Sequence, residues 1–438
     1  MKRVAVIGAG MAGAAAAWKL KQAGWQVTVY EKESYVGGRT HTYRGDGFHV
    51  NTGAGFFTNF YPEMRKYLKN SELESQIVEN PKLVRLAGKN KYYDYRLDSV
   101  PSFFRIPWLS FGEKLRLLRH TAALTLKKRK LDLVDPHSLA PYDDSSMKTW
   151  AQKKLGDKAY QDLIRTAVEP YWYFSCEKGS AAMIMALTAW AAGARFFTLK
   201  KGMDQVVHSL LKGIELKTDS AVADLKIDAD GKVQLTNKES STYDSSVIAT
   251  TASGALNLTK TLSDKIVSAE IKSFLSEQEY AANINAYFFV PEKFVKAIPP
   301  QISPAGPHSV GVAAIATHGS DTQKDKYPGT ALIGLWLRDE VSQSLVNLPE
   351  AEVWPRITEL MCPFLPEKVH AALKPAYLTK RTEAIPIHAP GRYRLAVKCW
   401  ETQKSPLVFA GDYLTTATME GAMQSGIRAA QILINSTI

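Results

Sequence analysis

The first apolar run, Val4-Ala-Val-Ile7, is short, largely β-branched and without polar alternation. That is the pattern of a strand buried on both faces of a parallel sheet. Residues 14–23 are rich in alanine and lysine and predict a helix, closed by Gly24. Gln26-Val-Thr-Val-Tyr30 predicts a second strand. In the middle of the chain a helix is predicted over 205–212, with short strands over 214–217, 220–225, 233–235 and 243–250 and a turn at Asp228-Ala-Asp-Gly231. Near the carboxyl end, Pro406-Leu-Val-Phe-Ala410 is again a buried strand by type, and an alanine- and isoleucine-rich helix runs from Met419 to the end. Strand, glycine turn and helix thus recur at both ends, which predicts an α/β protein built on a parallel sheet.

Composition narrows the class without changing that picture. The chain has 438 residues, 45% of them hydrophobic and 22% charged, enough to bury large cores in two or three domains. Cys176, Cys362 and Cys399 lie far apart, so neither a disulfide scaffold nor a cysteine-cluster metal site is expected, and a reducing, cytoplasmic setting is the default. The histidines show no H-x-x-x-H spacing, and no metal is expected. No run reaches the roughly 18 apolar residues of a membrane-spanning helix; residues 181–192 come closest. Met1-Lys2-Arg3 before an apolar run imitates a signal peptide, but glycines interrupt the run. The net charge of +12 fits an anionic ligand, an anionic membrane surface or a solvated surface, and no nucleic-acid-binding module accompanies it.

The chemistry sits in the glycines. Gly8-Ala-Gly10-Met-Ala-Gly13 follows the first strand and opens the first helix, and Glu31 ends the second strand. In that setting Gly8 permits the tight turn, Gly10 the approach of a pyrophosphate, and Gly13 close packing of helix on strand. The diphosphate would sit on the helix amino terminus and Glu31 would accept from a ribose diol, which disfavours a 2′-phosphate. A second pair, Gly37-Gly38, precedes Arg39-Thr40. Asn51-Thr-Gly53-Ala-Gly55-Phe56 follows, and the distant Gly411-Asp412-Tyr413 and Met419-Glu420-Gly421-Ala422 close a second strand–glycine–helix pattern. A nicotinamide enzyme has no need of that second motif, so the cofactor expected is FAD.

These fragments resemble the FAD-dependent amine oxidase, protoporphyrinogen oxidase and carotenoid desaturase superfamily, motif-deep over 1–60, 200–255 and 380–438. The resemblance implies a Rossmann-like FAD-binding domain, discontinuous over 1–60, 200–255 and 396–438. A mixed α+β substrate-binding domain would then take 61–199 and 256–395. It implies cofactor contacts at Gly8, Gly10, Met11, Ala12, Gly13, Glu31, Lys32, Gly37, Gly38, Arg39 and Thr40. Further contacts are implied at Gly53, Ala54, Gly55, Phe56, Val222, Gly411, Asp412, Glu420, Gly421 and Ala422. Val222 would touch the adenine, and Asp412 a ribityl hydroxyl. The last helix would turn its amino terminus to the flavin pyrimidine edge.

Substrate contacts are less determined. Glu169-Pro-Tyr171-Trp172-Tyr-Phe174 is either pocket lining or core, and Trp400 and Tyr413 are candidates to stack near the flavin. Residues 113–130 predict a basic helix, either facing an anionic membrane next to the aromatic stretch 100–111 or carrying a solvated face. Amine oxidases of the superfamily place a lysine on a substrate-domain strand. The counterpart, Tyr280-Ala-Ala-Asn283-Ile-Asn285-Ala-Tyr287-Phe288, has none, which favours the protoporphyrinogen oxidase or desaturase branch. The expected reaction is hydride transfer from a C–H alpha to nitrogen, or allylic, in a small and largely apolar or aromatic substrate to flavin N5, with dioxygen or a quinone as acceptor. Alternatives are an amine or amino-acid oxidase, an FAD-dependent isomerase or cyclase, and a flavin-binding scaffold. No catalytic acid or base can be named from the sequence.

Overall fold

The buried apolar runs meet in a five-stranded sheet, ordered Glu215–Lys217, Gln26–Tyr30, Arg3–Ile7, Ser245–Ile248, Leu407–Phe409, with every pairing parallel. The structure is a computed structural model that describes residues 1–87, 92–237, 240–304, 309–317, 319–323 and 325–436. Ile7 stands in register with Tyr30 on one side and Ile248 on the other, so the Gly8 turn emerges beside Glu31. The helix Met11–Gln22 starts directly after Gly10, ahead of its expected alanine-rich stretch, and packs on the long carboxyl-terminal helix Met419–Asn435. Their contact is so close that a Cβ at Gly426 would lie 2.0 Å from the Ala12 carbonyl oxygen.

Two expectations are corrected here. Residues 220–223 form no strand; the strand is Asp224–Ile227, in a three-stranded antiparallel meander. The run 243–250 is divided between two sheets, Ser240–Tyr243 in the meander and Ser245–Ile248 in the parallel sheet. The division falls at Asp244, whose carboxylate accepts from the Arg3 N–H at 2.7 Å and so holds the chain at the first strand.

Above this layer lies a seven-stranded sheet ordered Lys374–Pro386, Tyr280–Pro291, Thr330–Leu337, Val312–Ala316, Gln301–Pro304, Leu83–Ala87, Tyr92–Arg96. It is antiparallel except where Gln301–Pro304 joins Leu83–Ala87. The helices Phe111–Leu126, Met147–Leu155, Arg165–Trp172 and Ala181–Ala191 share a separate core built on Leu117, Leu124, Met147, Leu155 and Met183. A network of buried ions links them to the sheet: Glu169, fully buried, holds Arg165 at 2.9 Å and also Arg338 just beyond the strand Thr330–Leu337.

The basic helix expected over 113–130 is Phe111–Leu126, opened by a capping box between Ser110 and Glu113, with a separate tight turn at Lys128–Lys130. It buries Leu117, Leu124 and the stem of Lys114, whose ammonium donates to the Phe104 carbonyl at 2.7 Å. Phe111, Leu115 and Leu126 stay exposed.

Candidate functional site

The glycine turn is formed by sterics and by one pairing. Gly8 has φ +105°, a region that disfavours side chains, and its N–H donates to the Tyr30 carbonyl at 2.8 Å. A Cβ at Gly13 would lie 1.9 Å from the Gly8 carbonyl oxygen, so only glycine lets the helix sit this close to the turn. Gly10 is different, because a Cβ there would meet nothing within 4 Å. It caps the helix with no side-chain acceptor, and the first turn carries no acid. The leading N–H groups of a twelve-residue helix are therefore left facing open space, which suits a diphosphate.

Glu31 is held beside that helix end. One carboxylate oxygen accepts from the Ala9 N–H at 2.8 Å and the other from the Glu33 N–H at 3.1 Å. A carboxylate has about four acceptor positions, so two fixed bonds orient the group and leave capacity for a diol.

The second glycine pair braces the first. The Gly37 N–H donates to the Ala9 carbonyl at 2.9 Å, and the Ala54 N–H to the Arg39 carbonyl at 2.9 Å. Arg39 then spans to the far end of the chain: its guanidinium forks onto Asp412 at 2.8 and 2.7 Å. Asp412 follows the edge strand Leu407–Phe409, so this bidentate pair ties the amino-terminal turns to the carboxyl-terminal motif. The helix Met419–Asn435 is capped by Thr418, whose hydroxyl accepts from the Gly421 N–H at 2.9 Å.

All these turns open on one cavity of about 1650 Å³. Pockets for a single small molecule usually span about 300–1,000 Å³, so this one has room for a dinucleotide and a second molecule. Every expected cofactor position lines it except Gly13, Glu420 and Gly421. Gly13 lies behind the turn, as its packing demands. Gly421 is set tight against the chain, where a Cβ would be 2.1 Å from the Thr416 carbonyl oxygen. Glu420 points away: its two oxygens accept from the Glu63 and Met64 N–H groups at 2.9 Å each, capping the helix Pro62–Lys69. Burial raises its pKa against the pull of Gln424 and those two amides.

The far half of the cavity is a chamber between the seven-stranded sheet and the helices. Phe56, Tyr171 and Phe196 wall it, with Phe56 edge-on to both others (ring centroids 5.5 and 5.3 Å apart) and Tyr171 parallel to Phe196 within 9°. Gln301 donates to the Tyr171 hydroxyl at 3.2 Å. Burial raises the pKa of both Tyr171 and Tyr173, so these phenols stay neutral. Trp172 also lines the cavity and donates its indole N–H to the Ala417 carbonyl at 3.0 Å. Trp400 and Tyr413 do not line it. Trp400 is buried core, bonded to the Leu414 carbonyl at 2.9 Å and covered by Arg428, while Tyr413 packs near Phe274. The strand Tyr280–Pro291 carries no lysine, and Asn283 stands on its cavity side, donating to the Leu337 carbonyl at 2.9 Å.

Sequence reasoning missed Phe196, Gln301, Trp336 and Arg381 in the lining. Asn283 and Tyr287, polar positions on one face of a largely apolar strand, were the available signal for the sheet's contribution.

Comparison with known proteins agrees with this geometry. The sequence pattern described as flavin containing amine oxidoreductase matches residues 11–434. An L-amino-acid oxidase of Pseudechis australis is 47% identical over 75 residues, 17% of this chain and 14% of that protein. The chloroplastic/chromoplastic zeta-carotene desaturase of Solanum lycopersicum is 26% identical over 227 residues, 47% of this chain and 38% of the desaturase. The chain thus matches well under half the length of these relatives. Over the whole fold it is similar to the cyclohexylamine oxidase of Brevibacterium oxydans, at a TM-score of 0.76 and 17% identity, covering 100% of this chain and 99% of that one.

Proposed function

This chain belongs to the flavin containing amine oxidoreductases, and from that premise we propose that it is an FAD-dependent oxidoreductase. Its substrate is small and largely apolar, and gives up a hydride from a C–H that is allylic or alpha to nitrogen. The electrons leave to dioxygen or a quinone. When bound, FAD supplies the hydride acceptor. The protein's own residues do the rest. The amino terminus of Met11–Gln22 faces the diphosphate, and Glu31 takes the ribose diol. Arg39 and Asp412 fix the turns at the junction with the chamber. Ala417, Thr418 and Met419 turn the start of the last helix onto the cavity, where its dipole favours negative charge. Phe56, Tyr171 and Phe196 exclude water from the reacting end.

The observation that carries this reading is the single cavity shared by the glycine turns and the aromatic chamber. The chamber's character favours the protoporphyrinogen oxidase or desaturase branch over a polyamine oxidase. Its rim acids are already engaged, Glu79 by Arg195 and Lys82, and Asp98 by Lys82 and Arg96. No lysine stands on Tyr280–Pro291.

A contact with an anionic membrane surface is the partner proposed for the rim. Leu97, Val100 and Leu118 are both exposed and part of the lining, and the exposed Phe111, Leu115 and Leu126 continue the apolar face. The helix and the turn after it carry Arg116, Arg119 and Lys127 to Lys130, a composition suited to an anionic headgroup layer. No helix among the described residues is long and apolar enough to cross a membrane.

Anaerobic addition of apolar polyenes, porphyrinogens and amines, with the visible flavin bands recorded, tests the reaction. Bleaching by a polyene or porphyrinogen is the expected result. Bleaching by polyamines alone would reverse the branch assignment, and no bleaching by any class would refute the oxidoreductase reading.

A further inference from the structure

Where the chamber meets the dinucleotide cleft, Arg381 has no counter-charge among the described residues. Arg381 lies on the edge strand Lys374–Pro386, directly opposite Asn283 in the register. Opposed residues of an antiparallel pair share a face, so Arg381 shares the face of Asn283, and both line the cavity. Its guanidinium donates to the Gly38 carbonyl at 3.3 Å and to the Thr52 hydroxyl at 3.1 Å, while its Nε is buried with no hydrogen-bond partner.

The other cations of the lining are already engaged. Arg39 holds Asp412, Arg195 and Lys82 hold Glu79, and Lys32 lies 3.5 Å from Glu33. Lys380 is opposite Ile284, on the other face, and donates to the Leu348 carbonyl at 2.6 Å. Among the described residues no carboxylate lies within ion-pair distance of Arg381. A partly buried, always-charged fork with an orphaned donor is costly unless an anion completes it.

We propose that Arg381 is a receptor for the acid group of the substrate. The class of substrate is then an apolar acid whose carboxylate ends at the cofactor junction while its hydrocarbon part fills the aromatic chamber. This rests on the reading that the chamber holds the substrate and deepens it by naming the head group. Gly38 and Thr52 belong to the wall of the cleft and Asn283 to the sheet of the chamber, so an anion at Arg381 lies where the two halves touch. Arg381 positions the substrate and takes no part in bond breaking.

Octanoate, octan-1-ol and octylamine share one chain and differ only at the head. Each is titrated calorimetrically into the purified holoenzyme, with the visible flavin bands recorded in parallel. Octanoate is expected to bind at least tenfold more tightly than octan-1-ol and to shift the flavin bands. Arg381→Gln should remove that preference, and Arg381→Lys should restore most of it, each compared at equal flavin content. The comparison of acid with alcohol in the unaltered protein needs no variant to fold. Equal binding of acid and alcohol, or an acid preference that survives Arg381→Gln, overturns the proposal. Sulfite titration separates the remaining source of the anion. If Arg381→Gln weakens sulfite addition to the flavin and leaves octanoate binding unchanged, the charge serves the cofactor and the substrate assignment is wrong. Protein without yellow pigment would sink the oxidoreductase reading, whereas yellow protein indifferent to the acid group sinks only this inference.

Discussion

The two halves of the cavity are built from different materials. The cleft is walled by backbone, in the turns at Gly8, Gly10, Gly37, Gly38 and Gly53, held by the Gly8–Tyr30, Gly37–Ala9 and Ala54–Arg39 hydrogen bonds. The chamber is walled by side chains from segments far apart in the chain, among them Phe56, Tyr171, Phe196, Gln301 and Trp336. At Gly13 and Gly53 the backbone leaves no room for substitution, because a single added carbon meets a carbonyl at 1.9 or 2.1 Å, whereas at Gly10 it would enter the open cleft. Side-chain walls can be repacked at modest cost. One half is therefore committed to a fixed ligand, and the other, the proposed substrate chamber, can be adapted.

The sharpest test of that contrast is Gly13→Val, directly behind the cleft. The new side chain cannot avoid the Gly8 carbonyl, so a loss of about 4 kcal/mol or more is expected, enough to abolish recovery of yellow, folded protein. Soluble Gly13→Val protein with full pigment would break the contrast.

The next largest effect lies behind the junction. His388 is buried against Tyr393, both ring nitrogens lack partners, and burial lowers its pKa to about 4. The folded state then resists a proton that the unfolded chain accepts near pH 6.5. Stability is present above pH 6.5 and is lost as pH falls toward 4, by about 3 kcal/mol. Urea unfolding across that window should show the loss, and His388→Leu should remove its steepest part. Identical acid profiles would contradict the account.

Asp412→Asn comes third. It leaves Arg39 without its charged partner between the two chain ends. Because about a third of the arginine side chain keeps contact with solvent (30%), the expected loss is about 2 kcal/mol by urea unfolding, together with weaker cofactor retention. An unchanged urea midpoint would show that the fork is dispensable.

The smallest effect is expected in the chamber. Phe196→Leu should keep the cofactor and lose no more than about 1 kcal/mol, while raising KM several-fold for a substrate that bleaches the flavin. Loss of pigment in this variant would mean that chamber and cleft are not separable.

The same division governs what could be read from the sequence. Gly8, Gly10, Gly13 and Glu31 were legible because a missing Cβ or an acid at a strand end is written in one letter at fixed spacing. The parallel sheet was legible for a similar reason, since doubly buried strands carry unbroken apolar runs. Trp400 and Tyr413 were misplaced because a large aromatic near a motif serves a core as readily as a pocket. Glu420 was misplaced because the motif gives its position but not its direction, which the leading N–H groups of Pro62–Lys69 decide. Arg381 was missed because its setting depends on a cross-strand register with Asn283 that no local pattern encodes.

The central claim is that three distant segments of the chain converge on one flavin dinucleotide. The most direct measurement is the visible spectrum of the purified protein, followed by chromatography of whatever denaturation releases. The account predicts flavin bands and release of FAD equimolar with the chain. Protein that is colourless, stays so after incubation with FAD and releases no flavin would contradict it.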